Sequence, residues 1–175
     1  RYFALEKPDI VLLEVGMGGR LDATNVVSPL LSVITNISME HQDFLGNTLL
    51  QIAEEKAGII KPDVPLVTGA RQSLVQDLFR QKCRENNCPF HLLGEDFHYQ
   101  SDIRGLDYVG MNIQLESVNP GLNGEHQYQN AALALAGTEI LQDMGYKINA
   151  HQMKQGLQAA VWPGRMQIVS KNPFV

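Results

Sequence analysis

Apolar positions in this chain recur in two rhythms. Asp9-Ile10-Val11-Leu12-Leu13-Glu14-Val15 and Leu30-Leu31-Ser32-Val33-Ile34-Thr35-Asn36-Ile37 are continuous apolar runs, the pattern of strands covered on both faces of a parallel sheet. From Thr48 to Gly58 the rhythm becomes helical, through Leu49, Ile52, Ala53 and Ala57, with Thr48 as the expected N-cap and Gly58 as the stop. Pro65-Leu66-Val67-Thr68-Gly69 reads as another strand. A helix over about Ser73 to Glu85 follows, starting at a Ser cap, with apolar positions at Leu74, Leu78 and Phe79 and a break at Asn86-Asn87 before Pro89. Strands and helices in alternation predict an α/β fold with a mostly parallel sheet flanked by helices.

Residues 90 to 120 differ. Short β-prone pieces, His91-Leu92-Leu93 and Tyr108 to Ile113, are separated by Gly, Asp and Asn, which predicts antiparallel hairpins on the edge of that sheet. An alanine-rich helix is expected from His126 to Met144, stopped by Gly145, and a shorter one from Ala150 to Ala160. Trp162-Pro163-Gly164-Arg165 breaks the pattern, and Ile168-Val169 opens a further strand.

Composition narrows the class of function. The 175 residues carry a formal net charge of -5 with no basic block, so no nucleic-acid backbone is expected as a partner. No apolar run reaches the roughly 20 residues of a membrane span, and the start carries no signal-peptide pattern, which predicts no membrane association and a cytoplasmic location. Cys83 and Cys88 are too few for a disulfide framework and are expected to be reduced.

The residues richest in chemistry sit at strand ends. Ligands of parallel sheets bind beyond the carboxyl ends of the strands, and Glu14 closes the first predicted strand while His41 follows the second. Neighbouring strands would bring the two side chains together as magnesium ligands, the carboxylate being the ordinary choice and the imidazole the unusual one. Gly16, Gly18 and Gly19 permit a tight turn and a close approach to a ligand, with Arg20 and Asp22 placed to face a bound acid or heterocycle. His91, His98, His126 and His151 have no partners at ligand spacing and read as surface or structural.

The run Glu14 to Asn25, together with His41 to Gly46, Glu55 to Lys61, Gln129-Asn130-Ala131-Ala132 and Pro163-Gly164-Arg165, closely resembles the folylpolyglutamate synthase/dihydrofolate synthase family of the ATP-dependent Mur ligase superfamily. Leu21-Asp22-Ala23-Thr24-Asn25 is most similar to the bacterial bifunctional enzymes. The resemblance implies that Glu14 and His41 bind Mg2+ and that Lys56 is carried as an N-carbamate supporting a second metal. It implies that Leu21, Asp22 and Ala23 hold dihydropteroate, that Asn130 bonds adenine, and that Arg165 reaches the phosphates of ATP. A guanidinium suits both developing charge and bidentate contact.

The activity implied is that of a carboxylate-amine ligase. ATP phosphorylates a carboxylate of dihydropteroate or a reduced folate, and L-glutamate attacks the acyl phosphate. The full-length enzyme is expected to be a monomer. The family's Gly-rich nucleotide loop and its Asp-x-Ala-His-Asn-Pro segment have no match in this chain. It therefore reads as a fragment, inactive alone: residues 1–162 as the later part of the ATP-binding domain, and 163–175 as linker and start of a glutamate-ligase domain. A Mur-type cell-wall peptide ligase and a non-catalytic remnant of the fold are the alternatives.

Overall fold

The computed structural model describes residues 2–166; the strand expected at Ile168-Val169 lies outside them, as does most of the expected linker. Helices α1 (Tyr2–Glu6), α2 (Gln42–Leu45), α3 (Leu49–Ala57), α4 (Ser73–Glu85), α5 (Glu125–Asp143) and α6 (Ala150–Gln158) accompany six strands. Strands β1 (Ser32–Ile34), β2 (Leu66–Thr68) and β3 (Phe90–Leu92) form a parallel sheet in that order. Strands β4 (His98–Asp102), β5 (Gly105–Val109) and β6 (Gln114–Val118) form an antiparallel sheet.

The mixed α/β class follows the sequence pattern, and the caps explain where several elements begin. Thr48 Oγ1 accepts from the Gln51 backbone N–H, starting α3. Asn149 and Gln152 make a reciprocal capping box that starts α6. Asn87 (φ 52°) and Gly145 (φ 96°) take the left-handed backbone that carries the chain away from α4 and α5. The expected Ser cap of α4 is corrected: the N-cap is Gln72, whose side chain makes no capping bond. Val75, Phe79 and Cys83 face the core, while Leu74 is 64% exposed.

Two further expectations change. The antiparallel strands form a sheet of their own rather than an extension of the parallel edge, and Phe90–Leu92 joins the parallel sheet instead. The run Asp9 to Val15 pairs with no strand among the described residues. Its Leu12 is 95% exposed. A strand apolar on both faces is stabilised only by neighbours that cover both faces, and within these residues nothing does so.

Leu66 and Val67, consecutive in β2 and both fully buried, enter different cores, as the alternation of a strand requires. Leu66 packs with Ile34, Ile52, Val75 and Phe79 beneath α3 and α4. Val67 packs with Phe97, Tyr108, Leu133 and Leu135 between α5 and the antiparallel sheet. The parallel sheet thus has helices on both faces, and its carboxyl end is the rim where the loops after β1 and β2 meet the first turn of α5.

Candidate active site

The glycine loop owes its shape to one carboxylate. Asp22 accepts from the backbone N–H groups of Gly16 (3.0 Å), Met17 (3.1 Å) and Thr24 (2.9 Å) and from the Thr24 hydroxyl (2.6 Å). Those donors, the Thr24 hydroxyl foremost, lower its pKa to about 2. With its oxygens engaged inside the loop, Asp22 organises the turn, while Leu21 (83% exposed) and Ala23 are presented outward. Arg20, although exposed, also binds the protein itself. Its guanidinium grips Glu55 at 2.8 and 3.2 Å, and its backbone N–H donates to the Glu55 carbonyl.

The glycines earn their place through contact with α3. A Cβ on Gly19 would lie 2.8 Å from the Glu55 carbonyl oxygen, and one on Gly58 would lie 2.4 Å from the Arg20 Cα. The loop and the end of α3 are in backbone contact. This adds a packing reason to the ligand-approach reason expected for this turn.

The same end of α3 touches the histidine segment. Lys56 Nζ lies 3.2 Å from Glu40 Oε1, one residue before His41. His41 holds left-handed backbone, φ 51°, a conformation rare outside glycine and associated with functional sites. Its carbonyl accepts from Phe44 and Leu45, starting α2. Three motifs far apart in sequence therefore share one corner of the fold, with α3 as the common wall. Glu14 and His41 are both exposed. No hydrogen bond or ion pair of the Glu14 side chain joins it to the others among the described residues. The strand register expected to align these two residues is absent.

Among the described residues no three His, Cys, Asp or Glu side chains cluster as a metal cage. Magnesium needs no such cage. It keeps several waters and takes one or two protein carboxylates with phosphate oxygens, so the exposed Glu14 carboxylate is an ordinary donor for it and the exposed His41 imidazole an unusual one. Lys56 stands here as a cation paired with Glu40; conversion to a carbamate would exchange that attraction for repulsion.

Beyond the carboxyl ends of β1 and β2 lies a cleft of about 710 Å³ lined by Thr35, Asn36, Arg71, Gln72, Tyr99 and Asn130 among others. Asn130 sits on α5 one turn from its start, and its Nδ2 donates to Gln127 at 3.2 Å. His126, read from sequence as surface or structural, also lines this cleft. The segment carrying Arg165 turns back toward the same helix end: Asn123 Nδ2 donates to the Met166 carbonyl at 3.1 Å, two residues before the start of α5. Arg165 itself is exposed.

Sequence reading missed Arg71, Gln72 and Tyr99. Arg71 and Gln72 follow the strand Pro65 to Gly69 after one residue, at its carboxyl end, so their position could have identified them. Tyr99 comes from the separate antiparallel sheet, and no local pattern announces its place.

The Mur ligase middle domain model matches residues 2–138. The dihydrofolate synthase/folylpolyglutamate synthase of Bacillus subtilis is 37% identical over 99% of the chain, which spans 42% of that relative. Among solved structures, an FPGS-AMPPCP-folate complex superposes with a TM-score of 0.94 at 30% identity, covering 99% of this chain and 44% of that one. E. coli FolC in complex with DHPP and ADP gives 0.83 at 32%, covering 95% and 38%. The alternation of strand and helix, the helices on both sheet faces and the loops gathered at the carboxyl rim are thus shared along nearly the whole chain, which belongs to the Mur ligase middle domain family.

Proposed function

We propose that this chain is the later part of the ATP-binding domain of a ligase that joins L-glutamate to dihydropteroate, to the glutamate tail of folates, or to both. The observation that carries the reading is the meeting of the glycine loop and the segment leading into His41 at the end of α3, through the Arg20–Glu55 and Glu40–Lys56 pairs; the fold also holds a cleft that includes Asn130, beyond the carboxyl ends of β1 and β2. Relatives named folylpolyglutamate or dihydrofolate synthase, two of them solved with AMPPCP and folate or with DHPP and ADP, support it.

In this reading Asn130 bonds the adenine, and Arg165 donates to phosphate oxygens, where a fork of N–H groups stabilises charge on the transferring phosphoryl group. Glu14 and His41 hold Mg2+, which would neutralise phosphate charge when bound; Lys56, as a carbamate, adds an anionic ligand. Leu21 and Ala23 line the pterin-bearing substrate on a loop that Asp22 keeps in shape. The γ-phosphoryl group of ATP passes to the substrate carboxylate, ADP leaves, and the glutamate amine displaces phosphate from the acyl phosphate. Catalysis of such transfers is chiefly positioning and electrostatics. Residues 163–175 begin the connection to a glutamate-ligase domain, and the whole enzyme works as a cytoplasmic monomer. No described helix is long and apolar enough to cross a membrane.

The test uses the full-length protein with ATP, Mg2+, L-glutamate and either dihydropteroate or tetrahydrofolate, with the product identified by mass. Glutamate addition is expected, and Glu14→Gln or His41→Ala should lower kcat by roughly a hundredfold or more with an unchanged unfolding midpoint. Absence of glutamylated product with both acceptors would overturn the reading. Loss of stability in parallel with activity would return both residues to a structural role.

A further inference from the structure

We infer that Arg71 is a specificity-determining residue of the cleft, donating to acceptor atoms of the nucleoside portion of the nucleotide, with Gln129 as the residue that positions it; this rests on the nucleotide reading above. Arg71 follows β2 at the carboxyl rim and is exposed to the cleft. One of its terminal nitrogens donates to Gln129 Oε1 at 2.7 Å. Gln129 is only 8% exposed, and its Nε2 donates to the Thr35 carbonyl at 3.2 Å and the Gly69 carbonyl at 3.5 Å. Those two acceptors fix which end of the amide faces Arg71. Gly69 is required for the approach, since a Cβ there would lie 2.7 Å from Gln129 Nε2. One buried amide thus ties the ends of β1 and β2 to α5 and holds a guanidinium at the junction.

That guanidinium has capacity left over. A guanidinium carries five N–H donors, and among the described residues Arg71 has no carboxylate within ion-pair distance and no side-chain hydrogen bond besides the one to Gln129. Its positioning and its lack of an anionic partner are what a ligand-binding cation requires.

The lining decides which part of a nucleotide it meets. Arg71 and Glu125 are the arginine and the carboxylate of the wall, one of each sign; His126 also lines it, and Thr35, Asn36, Gln72, Tyr99 and Asn130 carry no charge. A wall whose one guanidinium is offset by a carboxylate suits a heterocycle and sugar better than a polyphosphate. Gln72, next in the chain, donates through Nε2 to the Ile37 carbonyl, and its Oε1 is the buried side-chain polar atom without a partner among the described residues. An unmatched acceptor beside an underused donor fits a ligand with both kinds of group and would repel an anion. Tyr99 adds an aromatic surface.

Competition against ATP in the full-length protein tests this, with adenosine, AMP and inorganic tripolyphosphate as probes. Arg71→Met should weaken adenosine and ATP by a similar factor, about tenfold or more for a lost charge-assisted hydrogen bond, and leave tripolyphosphate unchanged. Arg71→Lys should recover only part of the loss, since the fork is absent. Gln129→Met should reproduce the adenosine defect while leaving the tripolyphosphate constant alone, which general destabilisation would not do. Should Gln129→Met fail to fold, the exposed Arg71 variants still decide the matter. A loss confined to ATP and tripolyphosphate would make Arg71 a phosphate contact, and unchanged adenosine binding would remove it from the site; either overturns the inference. If the wild-type protein binds neither ATP nor adenosine, the nucleotide reading itself falls, and this inference with it.

Discussion

Two carboxylates, Asp22 and Glu139, each gather four donors and hold irregular backbone in place, but one does so at the surface and the other in the core. Glu139 is fully buried on α5 and accepts from the Tyr108 hydroxyl (2.6 Å) and from the backbone N–H groups of Asn112 (2.6 Å), Ile113 (3.2 Å) and Met111 (3.3 Å). It fastens the β5–β6 hairpin to the helix, and burial, followed by the hydrogen bond to Glu139, raises the pKa of the Tyr108 phenol. Asp22 makes a similar number of bonds in a loop that water reaches. Environment, not bond count, sets what each is worth. Water can replace Asp22 for its donors, whereas the buried Tyr108 hydroxyl deprived of Glu139 would be stranded in an apolar interior.

The sharpest way to break the comparison is Glu139→Ala. It should lower unfolding free energy by about 3 kcal/mol, because the buried Tyr108 hydroxyl and three partly buried backbone donors lose their acceptor together; denaturant titration measures it, and a loss under about 1 kcal/mol would put Glu139 in the same class as Asp22. Gly58→Ala comes next. Its Cβ would collide with Arg20 backbone and side chain at 2.4 Å, so a cost of about 1–3 kcal/mol is expected, with a detached loop visible as faster amide exchange at Gly19 and Arg20.

Asp22→Asn is expected to have the smallest effect at neutral pH, and pH sharpens the contrast. The folded-state value of about 2 lies below the ordinary 3.8, so the stabilising contribution of Asp22 is complete above the ordinary value and is lost as pH falls from there through about 2. The wild-type protein should therefore lose stability across that interval more steeply than Asp22→Asn. Equal slopes would show that the loop bonds are as strong in the unfolded chain, or absent in solution.

Much of this was legible in the residues. The span of α4 and the Thr48 start of α3 were predictable because caps and helical spacing act over a few residues. The class of the fold followed from the alternation of elements, and the motif residues carried the family resemblance that the match to the Mur ligase middle domain supports. Leu74 was misjudged because helical spacing gives a face without saying which way it turns. The Asp9 to Val15 strand was misjudged because a strand, unlike a helix, has its hydrogen bonds elsewhere in the chain.

The sequence by itself determined the local elements, their order and the residue types available for phosphate and metal chemistry, since these depend on neighbours within a few positions. Only the tertiary structure decided that Arg20 faces Glu55 and Lys56 faces Glu40, that Asp22 shapes a loop, and that Gln129 holds Arg71 in the wall of a cleft. Those pairings join residues up to 58 positions apart, and what selects them is the burial of Leu66 and Val67 on opposite faces of one strand, which fixes where the helices lie and so which side chains meet.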